Sequence, residues 1–126
     1  MANSVTTDFA RQEMARARAG DGTVSIITYM AFGDGGVDIN GSPIPPQSTD
    51  IGLNNELLRK LVDGHTYPIS TTCRYSCRLY KNELPGQKIN EIALFDADGN
   101  MICKKTMTDK TKDPDMEMVF EIDDEF

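Results

Sequence analysis

The stretch 89–105, reading INEIALFDADGNMICKK, constrains the fold more than any other. Two short apolar-rich segments, 89–95 and 101–105, flank Asp96-Ala97-Asp98-Gly99-Asn100. Asp-Gly and Gly-Asn accept the positive φ of a tight turn, so the stretch predicts a β-hairpin. Strand residues alternate between faces, which places Asn90, Ile92 and Leu94 on one side and Ile89, Glu91, Ala93 and Phe95 on the other. Both faces are apolar near the turn, as expected of a strand covered on both sides. Glu91 then becomes a candidate buried structural charge. A buried carboxylate needs a cation or hydrogen-bond donors, and Arg59, Arg74 or Arg78 is expected to serve. The alternative leaves Glu91 at a sheet edge in water.

The remaining chain reads as one helix, a strand, a long arm, a second helix and further strands. Residues 1–6 are expected to be loose. Thr6 or Thr7 can cap a helix from Asp8 to Ala19, stopped by Gly20. Its apolar face is thin (Phe9, Ala10, Met14, Ala17), and Arg11, Arg16 and Arg18 make the rest basic. Such a helix packs on its own domain or is completed by a partner subunit. Residues 23–32 read as a covered strand, followed by Gly33-Asp34-Gly35-Gly36. That loop lacks the Lys-Ser/Thr and the following helix of a phosphate site, so a flexible turn is expected.

Residues 37–48 form a long connection stiffened by Pro43, Pro45 and Pro46. A connection of this length is often an interaction arm, and Pro43, Ile44, Pro45 and Pro46 are candidate contacts. Leu53, Leu57, Leu58, Leu61 and Val62 repeat at helical spacing, which predicts a second helix over 51–62 ending at Gly64. Residues 67–80 alternate cleanly, which predicts one long strand. Cys73, Tyr75, Cys77 and Leu79 face the core, and Arg74, Arg78 and Tyr80 share the polar face. That face is either solvated or a subunit interface, for which Arg and Tyr are favoured. Met116, Met118, Phe120 and Ile122 alternate with Glu117, Val119, Glu121 and Asp123 in an edge-like closing strand.

The length suits a single domain spanning 1–126. The fold class expected is α+β: two helices on an antiparallel sheet of about four to six strands. The net charge is −7, and residues 113–126 carry seven acidic and no basic residues. That imbalance argues against nucleic acid, which needs a basic footprint, and suits a basic partner surface or a solubilising terminus. No signal peptide or apolar run long enough for a membrane helix is expected, which points to synthesis in the bacterial cytoplasm and no membrane insertion.

Enzyme chemistry finds no support. The chain has no Gly-x-Ser-x-Gly and no His-Glu-x-x-His, and its one histidine, His65, leaves little for a triad. A metal site from Cys73, Cys77, Cys103 and His65 lacks any C-x-x-C pair. Asp96-x-Asp98-x-Asn100 starts like a calcium loop, but its glycine is misplaced and Met107 stands where the bidentate Glu belongs. Three cysteines argue against a disulfide framework. Cys73 and Cys77, four residues apart on a strand, lie about 13 Å apart, beyond disulfide reach. No catalytic residue, cofactor or metal is assigned.

Asn90-Glu91-Ile92-Ala93-Leu94-Phe95-Asp96, followed by Asp98-Gly99-Asn100-Met101-Ile102, resembles the "NEIGLFD-x-DG-x-L" core of the phage tail-collar fibre family. Residues 15–21, 30–35, 53–62 and 112–126 are similar, in order, to further segments of that family. Ala93 stands where the family often has Gly, and the chain ends where the family's long shaft would begin. The resemblance implies a non-enzymatic structural component of a phage or prophage-derived contractile tail. In that role it would join tail fibre and baseplate, act as a homo-oligomer (trimeric in the family's fibres), and pass from cytoplasm to virion on assembly. A stand-alone receptor- or glycan-binding module is the competing reading, with Tyr29, Tyr67, Tyr75 and Tyr80 as a stacking surface.

Overall fold

A computed structural model describes residues 3–126. Its described residues form eight strands and one helix: β1 (Ser4–Thr6), α1 (Asp8–Arg18), β2 (Ile27–Gly33), β3 (Glu56–Leu61), β4 (Gly64–Ile69), β5 (Thr72–Leu79), β6 (Lys88–Asp96), β7 (Met101–Thr111) and β8 (Met118–Glu125). They make two antiparallel sheets, one ordered β1-β7-β6-β2-β3 and the other β4-β5-β8. The architecture is therefore mostly β, not the two-helix α+β fold expected from the sequence.

The error lies in residues 51–62. Their leucines repeat at helical spacing, yet Glu56–Leu61 is the edge strand β3, paired with β2 through Tyr29–Leu61, Ala31–Arg59 and Phe32–Leu58. Intrinsic helix preference is worth only tenths of a kcal/mol per residue. An open edge of β2 offers a ladder of hydrogen bonds and a core for Leu58 and Val62, both of which pack against it.

The 67–80 stretch is also not one strand. It folds into the β4–β5 hairpin, with Ile69 opposite Thr72 and Ser70-Thr71 at the bend. Neither residue is a strong turn former, so the alternation ran through the turn unmarked. Of the N-terminal residues expected to be loose, 1–2 lie outside the described residues, and Ser4–Thr6 pairs with β7.

The 89–105 hairpin is β6 and β7, and β6 is buried along nearly its whole length. In the turn, Asp96 Oδ1 accepts from the backbone N–H groups of Asp98 and Asn100, both at 2.9 Å. Gly99 adopts φ +86°, the left-handed conformation that the turn needs. This use of Asp96 explains the calcium-like spacing without an ion.

The main core lies between the sheets. Met30 and Phe32 of β2, Ile92 and Leu94 of β6, and Cys103 of β7 meet Cys77, Leu79, Phe120 and Ile122 of the smaller sheet. Phe32 and Phe120 make an edge-to-face contact at 5.4 Å between ring centroids. A β-bulge between Ile89 and Glu91 shifts the alternation, so Ile89 joins Ile92 on this inner side. On the outer side of the larger sheet, Ala31, Ala93, Phe95 and Met101 form a second cluster with Tyr29 and Leu53.

The helix starts as expected. Thr7 caps it: its Oγ1 accepts from Ala10 N and donates to the Met101 carbonyl at 2.8 Å, tying the helix start to β7. Ala10 is its one buried residue, and Gly20 at φ +83° follows its end.

The two-sided burial of β6 sets a stability test. Leu94→Ala should cost about 2–5 kcal/mol, the usual range for a fully buried leucine, whereas Ile51→Ala, at an exposed site, should cost under about 0.5 kcal/mol. Urea denaturation of both variants compares them; equal costs would contradict the core described here.

Candidate functional site: a carboxylate clasp and an open cleft

Glu91 is fully buried. Its partners are backbone amides rather than an arginine. Oε2 accepts from Gly35 N at 2.9 Å and Asn55 N at 2.8 Å, and Oε1 accepts from Asn54 N at 2.8 Å. The three arginines expected to serve it are engaged elsewhere: Arg59 with Glu56, Arg74 with Asp123 and Arg78 with Glu117. The adjacent Asn90 extends the arrangement. Its Oδ1 accepts from Gly36 N at 2.7 Å, and its Nδ2 donates to Asp34 O and Asp109 Oδ1. Two consecutive side chains of β6 thus hold the 33–36 loop and the segment entering β3.

This clasp accounts for the glycine-rich loop. A Cβ on Gly33 would lie 2.6 Å from Glu91 Oε2, and one on Gly36 would run into the Asn90 carbonyl and come within 2.9 Å of Glu91 Cβ. The loop therefore wraps an anion, but the anion is the protein's own carboxylate. The sequence carried both halves of the signal, NE and GDGG, without the long-range pairing that joins them.

Two buried lysines were missed entirely. Lys104 Nζ reaches Asp50 Oδ2 and Gly52 O at 3.2 Å and Asn54 Oδ1 at 3.4 Å, closing the 50–54 segment over the outer cluster. Lys112, fully buried, donates to the carbonyls of Lys81 and Asp113. Lys104 ends an apolar run and Lys112 stands in a polar stretch, and neither position gives a hint of its partners, because much of the cover comes from residues far away in sequence.

The expected surface residues are dispersed. Arg74 bridges Asp123 through Nε at 2.8 Å and Nη2 at 3.1 Å, and this hydrogen-bonded pairing holds the Asp123 carboxyl below its ordinary range. Arg78 meets Glu117 at 3.0 Å, whereas Tyr80 lies beneath Lys60 Nζ, 4.8 Å from its ring centroid. The arm is tied to its own chain: Val37 bridges Pro43, Ile44 N donates to Gly36 O, and Thr106 Oγ1 donates to Ile44 O. Pro45 and Ile44 are exposed, and Ile39, at the arm's tip, is fully exposed.

The four tyrosines form no common platform. Tyr29 packs on the outer cluster and Tyr80 sits under Lys60, whereas Tyr67 and Tyr75 flank His65 at the mouth of a cleft. That cleft, of about 450 Å³, opens between α1, residues 24–27 and the inner face of the smaller sheet. It is lined by Met14, Ile26, Ile27 and Ile102 with the two tyrosines, and by Asp124. Asp124 is 7 % exposed, and its Oδ1 accepts no hydrogen bond. Burial pushes its carboxyl above the ordinary aspartate value.

The cysteines are free and buried, with Cys73 and Cys77 on the same face. Burial raises the Cys77 thiol to about 11 and pushes Cys103 up further. Among the described residues, no group of three or more His, Cys, Asp or Glu side chains is placed to hold a metal ion. No helix among them is long and apolar enough to cross a membrane.

Two facing antiparallel sheets, with an Asn-Glu pair on the central hairpin pinning the loops of the larger one, define the class of architecture. A sequence profile of the N-terminal region of the phage tail-collar fibre proteins matches residues 1–119, and the chain belongs to that family. It is a structural component of a phage tail, associated with other tail components and with the virion. It matches no curated protein and no solved structure at a significant level.

Glu91→Gln should cost about 2–4 kcal/mol, because an amide N–H₂ would face backbone donors in a dry site. Gly36→Ala should cost about 1–3 kcal/mol through overpacking, with Gly52→Ala as a control whose Cβ meets nothing within 4 Å. Denaturant titration reads all three, and a Glu91→Gln midpoint equal to the parent's would dismiss the clasp as a stabilising element.

Asp124 supplies a pH test. Its folded pKa lies above its unfolded value near 3.8, so the fold binds the proton more tightly than the unfolded chain. Ionised Asp124 therefore lowers stability at neutral pH, and the penalty fades as pH falls through the folded pKa and is gone below the unfolded value. Asp124→Asn should melt higher than the parent at pH 7, with the gap closing towards pH 3. A gap that widens on acidification would contradict this account.

Proposed function

We propose that this chain is a non-enzymatic attachment module that joins a tail fibre to the baseplate by surface complementarity and works as a homo-oligomer. Family membership supplies the setting, and one observation carries the mechanism: Ile39 is fully exposed at the tip of an arm that hydrogen bonds hold in place. Asp38 Oδ1 accepts from Asn40 N and Ser42 N, so the tip is already shaped before a partner arrives. Presenting an apolar side chain on an ordered arm reduces the entropy lost on docking.

Charge supports the same reading. Arg11, Arg16 and Arg18 on α1 have no carboxylate within ion-pair distance among the described residues, and the outer face of β8 carries Glu121 and Glu125 beside the Arg74–Asp123 pair. A basic and an acidic patch on one subunit suit head-to-tail contacts that close into a ring. A module of this kind needs no catalytic group, and Pro43, Ile44, Pro45 and Pro46 would form the arm's contact surface with Ile39.

Ile39→Asp should leave the melting temperature unchanged, since Ile39 makes no burial in the isolated chain, and weaken assembly at least tenfold. Light scattering across a concentration series, with co-sedimentation on baseplates, measures this. Unchanged assembly would remove the arm from the mechanism.

A further inference from the structure

The cleft beneath α1 has no role in the fold. Its apolar walls are open to water, and Val24, Ile26, Tyr67 and Phe126 around it are more than half exposed. Asp124, at 7 % exposure, is the one residue among its lining whose carboxylate oxygen is both sealed from water and without a hydrogen bond. The titratable groups around it offer no cation. Cys73 sits opposite in register, Tyr75 and Cys103 lie close, His65 flanks Tyr75, and Glu13 of α1 accepts weakly from Ser25. No lysine or arginine lies within ion-pair distance of Asp124 among the described residues. A buried carboxylate in such surroundings is costly unless a donor or cation meets it.

We propose that this cleft receives a lysine side chain presented by another tail protein, its ammonium meeting Asp124 and its alkyl stem lying along Met14, Ile26, Ile27 and Ile102. Three features select lysine. The walls are apolar along their length, which suits a four-carbon stem. Tyr67 and Tyr75 are among the lining, and aromatic rings attract a cation. Of the two carboxylates lining the cleft, Glu13 is engaged by Ser25 and only Asp124 is without a partner, so a guanidinium with five fixed donors would leave most of them unpaired. Asp124 lines the cleft, so its carboxylate borders the space that the stem would fill. This assignment rests on the chain docking other tail proteins, and it gives that docking a chemical address separate from the arm.

The test titrates the intact protein with Nα-acetyl-lysine methylamide, followed by NMR of the Tyr67, Tyr75 and His65 ring signals. The parallel probes are Nα-acetyl-arginine methylamide, 1-butanol as a neutral counterpart, and spermidine. Saturable lysine binding is expected, with a dissociation constant on the order of 1–10 mM for so small a ligand. Asp124→Asn should weaken it at least tenfold, and 1-butanol should not saturate. Tyr67→Ala, at the exposed rim, should weaken it several-fold and decides the matter if Asp124→Asn fails to fold. Absence of lysine binding, equal binding by 1-butanol, or an unchanged affinity in Asp124→Asn would overturn the proposal. Tenfold tighter binding of spermidine or of the arginine derivative would overturn the assignment to lysine. Because the probes are single amino-acid derivatives, failure here leaves the assembly test of Ile39 standing, and failure there leaves this site standing.

Discussion

The architecture depends on one buried carboxylate. Glu91 lies in the most enclosed strand of the larger sheet and gathers three backbone amides from two separate segments, one following β2 and one entering β3. A charge in such a place would ordinarily be a liability. Here the donors come from the chain itself, in fixed positions, so the carboxylate orders the loops that surround it. Asn90 performs the same work one residue earlier. The glycines at 33 and 36 are the steric counterpart, because the backbone there approaches Asn90 and Glu91 more closely than a Cβ permits, and Gly35 is closed in by Asn54 and Asn55.

Much of this was legible in the amino-acid order, in pieces. The hairpin was plain because its turn residues and its alternation agree. The helix was plain because Thr7, Asp8 and Gly20 mark both its ends. The need of Glu91 for partners followed from burial alone, but their identity did not. Arginine is the obvious guess when only side chains are considered, whereas backbone amides become available only once the topology brings residues 35, 54 and 55 beside β6. Residues 51–62 were misread for a related reason. The leucine spacing is ambiguous over so short a span, and the deciding influence was the vacant edge of β2. The bend at Ser70-Thr71 is similar: tertiary pairing of β4 with β5 makes the turn, with little local encouragement.

The two sheets differ in breadth, and that inequality shapes the surface. Five strands cannot be fully covered by three, so other parts of the chain complete the burial. The 48–55 segment and Lys104 close the outer face, and α1 lies by β7 through its threonine cap. Where the helix contributes few apolar residues the cover is incomplete, which leaves the cleft and Asp124. The family role as a tail component and the unfilled surfaces of the isolated chain are thus consistent, since a part built for assembly need not satisfy every group alone.

The sulfur chemistry carries a last consequence. Cys73, Cys77 and Cys103 are all enclosed, and burial holds the thiols of Cys77 and Cys103 in the protonated form, which is a poor nucleophile. In an oxidising medium an accessible thiolate is open to cross-linking and to stepwise oxygenation of sulfur. For Cys77 and Cys103, resistance to that chemistry depends on the packing around them and not on any redox partner.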